Sequence, residues 1–328
     1  MLRLKNIKIA PNSSAFDLDF KPGITTVILG RNNSGKTPLL RFIAGLSTRT
    51  RGSLLLDNEE ITLTKPQQRP IALVVQNFVN YPNWSVAENI ISPLRRKGFS
   101  TFELQERAHQ LACTLGLEGF LSSMPNELSG GQQQRLAIAR ALARDARVLL
   151  LDEPFVNLDY KLRESITLEL RNLFKTKDTT IIYATSHPRD AFAMGDEALL
   201  LHEQTKLQSG PILDVYRSPK TIEAAEMMSD PGVNIIATND KAGKKAPLTA
   251  VRPEHIYLAR EISTHETERF EFKIRGSETS GDETILYGTV ANSAWVIRRP
   301  EMIEIPTGDT INVFVHKRDL IDFPSKQT

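Results

Sequence analysis

The chain has 328 residues, about two domains at roughly 150 residues per domain. Its composition, 40% hydrophobic and 24% charged, is that of an ordinary globular protein and argues against a disordered or fibrous chain. Lys and Arg number 41 against 39 Asp and Glu, and this net charge of +2 gives no reason to expect a nucleic-acid partner.

The single cysteine, Cys113, excludes an intramolecular disulfide and fits a reducing compartment. The first residues lack the apolar core of a secretory signal. The longest apolar runs, such as residues 198–201, are far shorter than the ~20 residues that cross a bilayer. We therefore expect any work at a membrane to depend on a partner.

Strands and helices are predicted to alternate through the first part of the chain. An apolar run at residues 27–29 predicts a strand, which leads through Gly30 into a helix at residues 38–44. Further runs predict buried parallel strands at 148–151 and 180–185, and apolar spacing predicts helices at 104–115 and 162–174. This α/β alternation is typical of a nucleotide-binding core.

Short strands dominate the sequence after the turn-like break Asp230-Pro231-Gly232. They are predicted at residues 256–258, 270–274, 284–287, 295–297 and 311–315. Their alternating pattern indicates a small antiparallel barrel. We place the boundary near residue 231, which gives domains at residues 1–231 and 232–328.

A phosphate-binding loop is predicted between the first strand and the helix that follows it. The segment reads Gly30-Arg31-Asn32-Asn33-Ser34-Gly35-Lys36-Thr37 and matches G-x-x-x-x-G-K-[ST]. In such a loop backbone N–H groups surround phosphate oxygens, Lys36 adds positive charge, and Thr37 offers a hydroxyl to Mg²⁺. The helix N-terminus adds unpaired donors and the positive end of its dipole.

Two further motifs narrow the class. One is Leu128-Ser129-Gly130-Gly131-Gln132 at the start of a predicted helix, and the other is Asp152-Glu153 after the strand at 148–151. Along the chain the phosphate loop is followed by Gln76, then by these two motifs, and finally by His187. With this order of motifs, the first domain resembles the ATP-binding subunit of ABC transporters. The resemblance implies an α/β P-loop ATPase domain with a RecA-like core and a helical subdomain at about residues 77–140. It further implies a C-terminal all-β, OB-like regulatory barrel of the TOBE or MOP type.

The resemblance implies ATP and Mg²⁺ as cofactors and assigns the catalytic groups. Thr37, Gln76 and Asp152 hold Mg²⁺ directly or through water. Glu153 polarises the attacking water, His187 contacts the γ-phosphate, and Gln76 also senses the membrane subunit. Taken singly, Asp152-Glu153 can equally be a helix cap or a solvated turn, and Gln76 and His187 can be ordinary polar residues.

A second chain is implied because the glycines at 130–131 cannot easily reach phosphates held by Lys36 of the same chain. In the family, two ATPase chains lie head to tail, so that each signature contacts the other's ATP. Asp159 then lies at the seam of the dimer.

Two departures from the family pattern bear on ATP binding. Pro38 stands where the family usually has Ser or Thr, and a proline has no N–H to give to a phosphate. The loop near residues 9–12 lacks the aromatic residue that normally stacks on adenine, and Phe16 is the nearest. We therefore expect weaker ATP binding than in the family at large.

The type of transporter is indicated by segments outside the catalytic motifs. Residues 251–256 resemble the start of the regulatory barrel in importers for maltose, glycerol phosphate and related solutes, and residues 80–82, 86–94 and 157–164 look like ATPase subunits of bacterial glycerol importers. The resemblance implies a paralogous or identical second ATPase subunit, two transmembrane permease subunits and a periplasmic or extracellular solute-binding protein. It also implies a peripheral position on the cytoplasmic face of the bacterial inner membrane.

Several alternatives stay open at this point. The solute can be another sugar or polyol, and the chain can be a weakly hydrolytic or regulatory subunit, or a non-transport ABC ATPase. We expect Gln76 and residues 81–117 to couple ATP hydrolysis to the membrane subunit. Phe78, Tyr81, Trp84 and Leu94 are candidate contacts there, with internal packing as the other explanation.

Overall fold

A computed structural model gives the structure of the chain, and it describes residues 1–47, 49–77, 79–95, 98–144, 146–155, 160–175, 178–236, 248–261 and 266–323. Two compact units are present, Met1–Ile212 and Leu213–Thr328. Among the described helices, none has the length and apolar composition needed to span a bilayer.

The first unit contains two sheets and the helices that cover them. Its described strands are β1 (Leu2–Lys8), β2 (Phe16–Phe20), β3 (Thr25–Leu29), β4 (Arg51–Leu56), β5 (Glu59–Glu60), β6 (Ile71–Val74), β7 (Val148–Asp152), β8 (Thr180–Thr185), β9 (Glu197–His202) and β10 (Thr205–Pro211). Its described helices are α1 (Lys36–Ile43), α2 (Val86–Ile91), α3 (Thr101–Thr114), α4 (Gly130–Ala143), α5 (Tyr160–Lys175) and α6 (Pro188–Met194).

The larger sheet has the order β10-β9-β3-β8-β7-β6 and is parallel except for β10. Every residue of β3, β7 and β8 is buried, which confirms the buried parallel strands predicted from continuous apolar runs. The carboxyl ends of these three neighbouring strands meet at one edge, where ligands bind in open α/β sheets.

The smaller sheet, β2-β1-β4-β5, is antiparallel and was not predicted from the sequence. In β1 and β2, buried residues are interspersed with exposed ones, and β1 carries an irregularity in register between Leu4 and Ile7. Leu2, Leu4 and Phe20 from this sheet share one buried cluster with α1 and the larger sheet. The two sheets of the first unit therefore have a common core.

Serine residues precede the three α-helices that the structure describes between β6 and β7. Ser85, Ser100 and Ser129 are the N-caps of α2, α3 and α4, and each accepts the N–H of the residue three positions later. That residue is Glu or Gln in each case, and its side chain accepts the serine N–H to complete a capping box. Since α2 packs on α3 and α4, these helices form the helical part that the resemblance implied.

The second unit contains two antiparallel sheets. Its described elements are α7 (Ile212–Arg217, which starts at the last residue of the first unit), α8 (Ile222–Met227), β11 (Asn234–Ile236), β12 (Leu248–Val251), β13 (Ile256–Leu258), β14 (Thr267–Thr279), β15 (Thr284–Val290), β16 (Ser293–Arg299), β17 (Thr310–His316) and β18 (Ile321–Phe323). The sheets have the orders β11-β12-β18 and β13-β17-β14-β15-β16. All five predicted strands are confirmed, and the antiparallel sheets are consistent with the predicted barrel.

The division between the units lies at Ile212/Leu213, whereas the sequence suggested residue 231. The reason is packing. Ala225 of α8 is buried against Ala250 and Phe323 of the C-terminal sheet, so α8 belongs to the second unit. The break at residues 230–232 is a local turn within that unit, and its Asp230–Pro231 peptide bond is cis.

Candidate functional site

The phosphate loop connects β3 to α1, and its glycines stand where a side chain would not fit. A Cβ on Gly30 would lie 2.3 Å from Ser34 Oγ and 2.6 Å from Leu201 O. Gly35 has φ of 106°, in the region that favours glycine, and is the N-cap of α1. The loop is also tied to β8, because Gly30 N donates to Thr185 O at 3.3 Å.

Lys36 is buried with 5% of its side chain exposed, and its ammonium group faces the loop. Nζ donates to Gly30 O at 2.7 Å and Arg31 O at 3.1 Å, and it lies 3.3 Å from Glu153 Oε1. An ammonium group has three N–H donors, so these three acceptors match its capacity. The positive charge is thereby held among the phosphate loop's own carbonyl groups.

Glu153 lies between Lys36 and Gln76. Gln76 Nε2 donates to Glu153 Oε2 at 3.4 Å, so the carboxylate contacts both side chains. The backbone of Glu153 has φ of 48°, which is uncommon for a residue with a side chain, and its N–H donates to Ala184 O at 3.0 Å. The ends of β6, β7 and β8 thus hold this carboxylate beside the phosphate loop.

Asp152 and Thr37 form a second pair at the same edge. Asp152 is 3% exposed; burial raises the pKa of its carboxyl, and a hydrogen bond from Thr37 opposes this. Asp152 Oδ1 is buried without a hydrogen-bond partner among the described residues, and so is Ser34 Oγ. A carboxylate oxygen with spare capacity beside a hydroxyl fits Mg²⁺, which prefers oxygen ligands and retains several waters.

His187 is the N-cap residue of α6 and comes two residues after the end of β8. Its backbone N–H donates to Thr185 Oγ1 at 3.1 Å. Thr185 is 2% exposed and is the residue whose carbonyl anchors Gly30. The start of α6 and the phosphate loop are therefore attached to the same strand end.

The predicted signature residues form the start of α4. Ser129 and Gly130 are exposed, and Ser129 Oγ accepts the N–H of Gln132 at 3.3 Å while Ser129 N–H bonds Gln132 Oε1 at 2.8 Å. Leu128 is buried, and Gly131 is the second residue of the helix. Asp159, at the predicted dimer seam, lies outside the described residues.

Pro38 is the third residue of α1 and is exposed. The first hydrogen bond within this helix is from Leu39 N to Gly35 O at 3.1 Å, so an N–H at position 38 would have no partner inside the helix. Phe16, the nearest aromatic residue to the loop at 9–12, begins β2 and packs partly against the core.

The four candidate membrane contacts differ in exposure. Tyr81 is 46% exposed and Trp84 is half-buried beside it, with 4.5 Å between their ring centroids. Leu94 is 1% exposed, so internal packing explains it. Phe78 lies outside the described residues.

Sequence reasoning missed Gln134, which links α4 to the catalytic edge. Its side chain is 1% exposed and donates to Pro154 O, next to Glu153. The helical spacing of Gln134, Ile138 and Leu142, all buried, was the available signal, since residues four apart share a helix face.

Comparisons with known proteins agree with this architecture. The ABC transporter family model matches residues 14–156. The chain is 34% identical over 294 residues to the sn-glycerol-3-phosphate import ATP-binding protein UgpC of Pectobacterium atrosepticum, covering 83% of this chain and 81% of that protein. It is 38% identical over 266 residues to the spermidine/putrescine import ATP-binding protein PotA of Thermotoga maritima, covering 74% and 72%.

Among solved structures, the chain is similar to the dimeric ATP-binding cassette MJ0796 in a post-hydrolysis state bound to ADP and Pi. The sequence identity is 31% and the TM-score 0.58, with 64% of this chain and 98% of that chain covered. These similarities show that the chain belongs to the ABC transporter family as an ATPase subunit of the importer type.

Proposed function

We propose that this chain hydrolyses MgATP at the phosphate loop and thereby powers an importer for a small polyol or sugar, with glycerol as the first candidate. The observation that carries the catalytic part is the meeting of Lys36, Gln76 and Glu153 at the carboxyl ends of three strands. The solute class is supported by similarity to a glycerol-phosphate import protein and by the resemblance to glycerol importers.

In this proposal the chain's own groups divide the work of phosphoryl transfer. Backbone N–H groups of the phosphate loop and the ammonium group of Lys36 bind the phosphates and offset their charge. Thr37, Asp152 and Gln76 would hold Mg²⁺, which when bound neutralises charge on the phosphate oxygens. Glu153 accepts a hydrogen bond from the attacking water and orients it. His187 donates to the γ-phosphate.

The Lys36–Glu153 contact gives a reason why the Glu153 carboxylate is not free to bind water before nucleotide binds. Lys36 directs its donors to two loop carbonyls and to Glu153. A bound triphosphate offers Lys36 a more highly charged acceptor, and the carboxylate of Glu153 then loses its cationic partner. Glu153 is thereby released to bind water while Gln76 remains beside it.

The proposed assembly is a head-to-tail pair of ATPase subunits with two permease subunits and a solute-binding protein. The dimer is supported by the exposed start of α4 and by the dimeric form of MJ0796. Ser129 Oγ accepts the N–H of Gln132, which leaves its own O–H to donate to a partner's nucleotide. The assembly is expected on the cytoplasmic face of the inner membrane.

Replacing Glu153 by Gln tests the catalytic assignment, because the amide keeps the size of the side chain but cannot act as a base. We expect the purified complex to lose hydrolysis by about 100-fold or more and to accumulate as an ATP-bound dimer. Glu59→Gln, on the exposed strand β5, is the matched control. Normal turnover of the Glu153→Gln complex would instead support a regulatory subunit.

The solute is tested on the complex purified from membranes. Mass spectrometry identifies its subunits, and ATPase stimulation is measured with the solute-binding protein and glycerol, glycerol 3-phosphate, maltose or spermidine. Stimulation by glycerol alone supports the proposal. Stimulation by spermidine would assign the chain to the transport type of its polyamine-importer relative.

A further inference from the structure

Asp190 of α6 is only 8% exposed, and one of its carboxylate oxygens accepts three hydrogen bonds. Thr185 Oγ1 donates to Asp190 Oδ2 at 2.9 Å, and the Tyr183 hydroxyl donates to the same atom at 3.4 Å. Arg163 of α5 donates to it as well and neutralises its charge. Burial, followed by the charge of Asp190, raises the pKa of Tyr183 well above its ordinary value, so Tyr183 remains a neutral donor.

Thr185 passes this arrangement on to His187. A threonine hydroxyl has a single proton, and here it is committed to Asp190. Its lone pairs are therefore available in a fixed direction, and the backbone N–H of His187 donates to them at 3.1 Å. The carboxylate of Asp190 thus decides which way the Thr185 hydroxyl points, and the hydroxyl fixes the start of α6.

The same strand end also fixes the phosphate loop, since Gly30 N donates to Thr185 O. Because the Thr185 carbonyl holds the loop and its hydroxyl holds His187, a change in the direction of the hydroxyl alone shifts His187 relative to the loop that binds phosphate. Arg163 lies in the first turn of α5, four residues after Asp159 in the sequence. The chain of contacts therefore runs from the start of α5 to His187.

We propose that Asp190 is a positioning residue for His187, and that the Arg163–Asp190–Thr185 contacts join the start of α5 to the γ-phosphate contact. The inference rests on the proposed function, in which His187 meets the nucleotide. It assigns to Arg163, Asp190 and Thr185, which stand outside the phosphate-loop and signature motifs, the task of holding His187 in register with the phosphate loop.

The experiment compares steady-state ATP hydrolysis by the purified complex carrying Asp190→Leu, Asp190→Asn or the wild-type residue. Leu removes every acceptor, whereas Asn keeps one oxygen for Thr185. We expect kcat to fall about 10- to 100-fold for Leu and less for Asn, with KM for ATP changed by less than about threefold. Circular dichroism and nucleotide binding verify that each variant is folded. If the Asp190→Leu variant does not fold, the Asp190→Asn variant is used for the test.

Arg171→Met is the matched control, because Arg171 also joins α5 to α6. Its NH1 donates to Ala193 O at 3.0 Å, away from Thr185. Losing this bond weakens the contact between the two helices and leaves the Thr185 hydroxyl in place. We expect kcat of Arg171→Met within about twofold of wild type.

A double-mutant cycle with His187→Ala separates positioning from general destabilisation. In the His187→Ala background, Asp190→Leu is expected to lower kcat by less than about threefold further. An equal loss in both backgrounds, or a normal kcat for Asp190→Leu, overturns the inference alone. A normal kcat for His187→Ala would contradict the role of His187 in the proposed function and this inference with it.

Discussion

Replacing Pro38 by Thr should strengthen ATP binding. Pro38 stands in the first turn of α1, where N–H groups have no partner within the helix and point toward the phosphate loop. Thr restores one such donor. A hydrogen bond to a charged acceptor contributes about 1.5–3 kcal/mol, so the dissociation constant for ATP is expected to fall roughly 10- to 150-fold.

The same substitution should lower the stability of the nucleotide-free protein. Proline restricts the unfolded chain, and losing it at a compatible position costs about 0.4–1 kcal/mol of the free energy of unfolding. The two effects thus have opposite signs. Calorimetric titration with ATP measures the first, and urea denaturation without nucleotide measures the second.

Pro66→Thr is the control, since Pro66 also stands in the first turn of a helical segment but lies outside the phosphate loop. It should lower stability similarly and leave ATP affinity unchanged. If Pro38→Thr lowers stability but binds ATP with wild-type affinity, the missing N–H does not weaken the site and the reasoning is wrong.

Three further substitutions test other parts of the chain. Gly30→Ala, whose Cβ would lie 2.3 Å from Ser34 Oγ, should distort the phosphate loop and weaken ATP binding, measured by calorimetry, by about 10-fold or more. Arg69→Met removes buried hydrogen bonds of 3.0 and 2.7 Å to the last carbonyls of α1 and should cost about 3 kcal/mol in urea denaturation. Tyr216→Phe removes a hydrogen bond of 2.7 Å to Glu254. Burial is the larger cause and this hydrogen bond the second of a rise in the pKa of Tyr216 from 10.0 to about 12. The neutral hydroxyl therefore stabilises the folded protein below pH 10, and this contribution is lost as the pH rises toward 12. Tyr216→Phe should therefore abolish that part of the alkaline loss of stability, as followed by thermal unfolding against pH.

The sequence indicated that candidate site residues would lie near strand ends, and the structure brings Lys36, Gln76 and Glu153 together there. Asp152 and Glu153 come directly after the apolar run 148–151, and Lys36 comes after the loop that follows the run 27–29. Parallel strands in one sheet bring their carboxyl ends together. The order of the phosphate loop, the 128–132 signature and Asp152-Glu153 along the chain indicated the ABC ATPase family. Gln76 was also predicted, and the structure adds its contact with Glu153.

The remaining features depend on packing between segments distant in the sequence. Asp190 meets Arg163 from a different helix, and neither residue stands in a pattern that indicates the contact. In the antiparallel sheet of β1, β2, β4 and β5, apolar residues alternate with polar ones in β1 and β2, and β1 pairs with β4 across the intervening β2, β3 and α1. The boundary at Ile212 follows from the burial of Ala225, which a local turn signal does not reveal.

The end of β8 holds two parts of the site through backbone atoms alone. Ala184 O accepts the N–H of Glu153, and Thr185 O accepts the N–H of Gly30. Carbonyl groups are present whatever side chain a residue carries, so amino-acid exchanges at position 184 that fit the core should leave these attachments intact. A one-residue insertion or deletion here would move both carbonyls out of alignment at once. The end of this strand is therefore constrained in length more severely than position 184 is in composition.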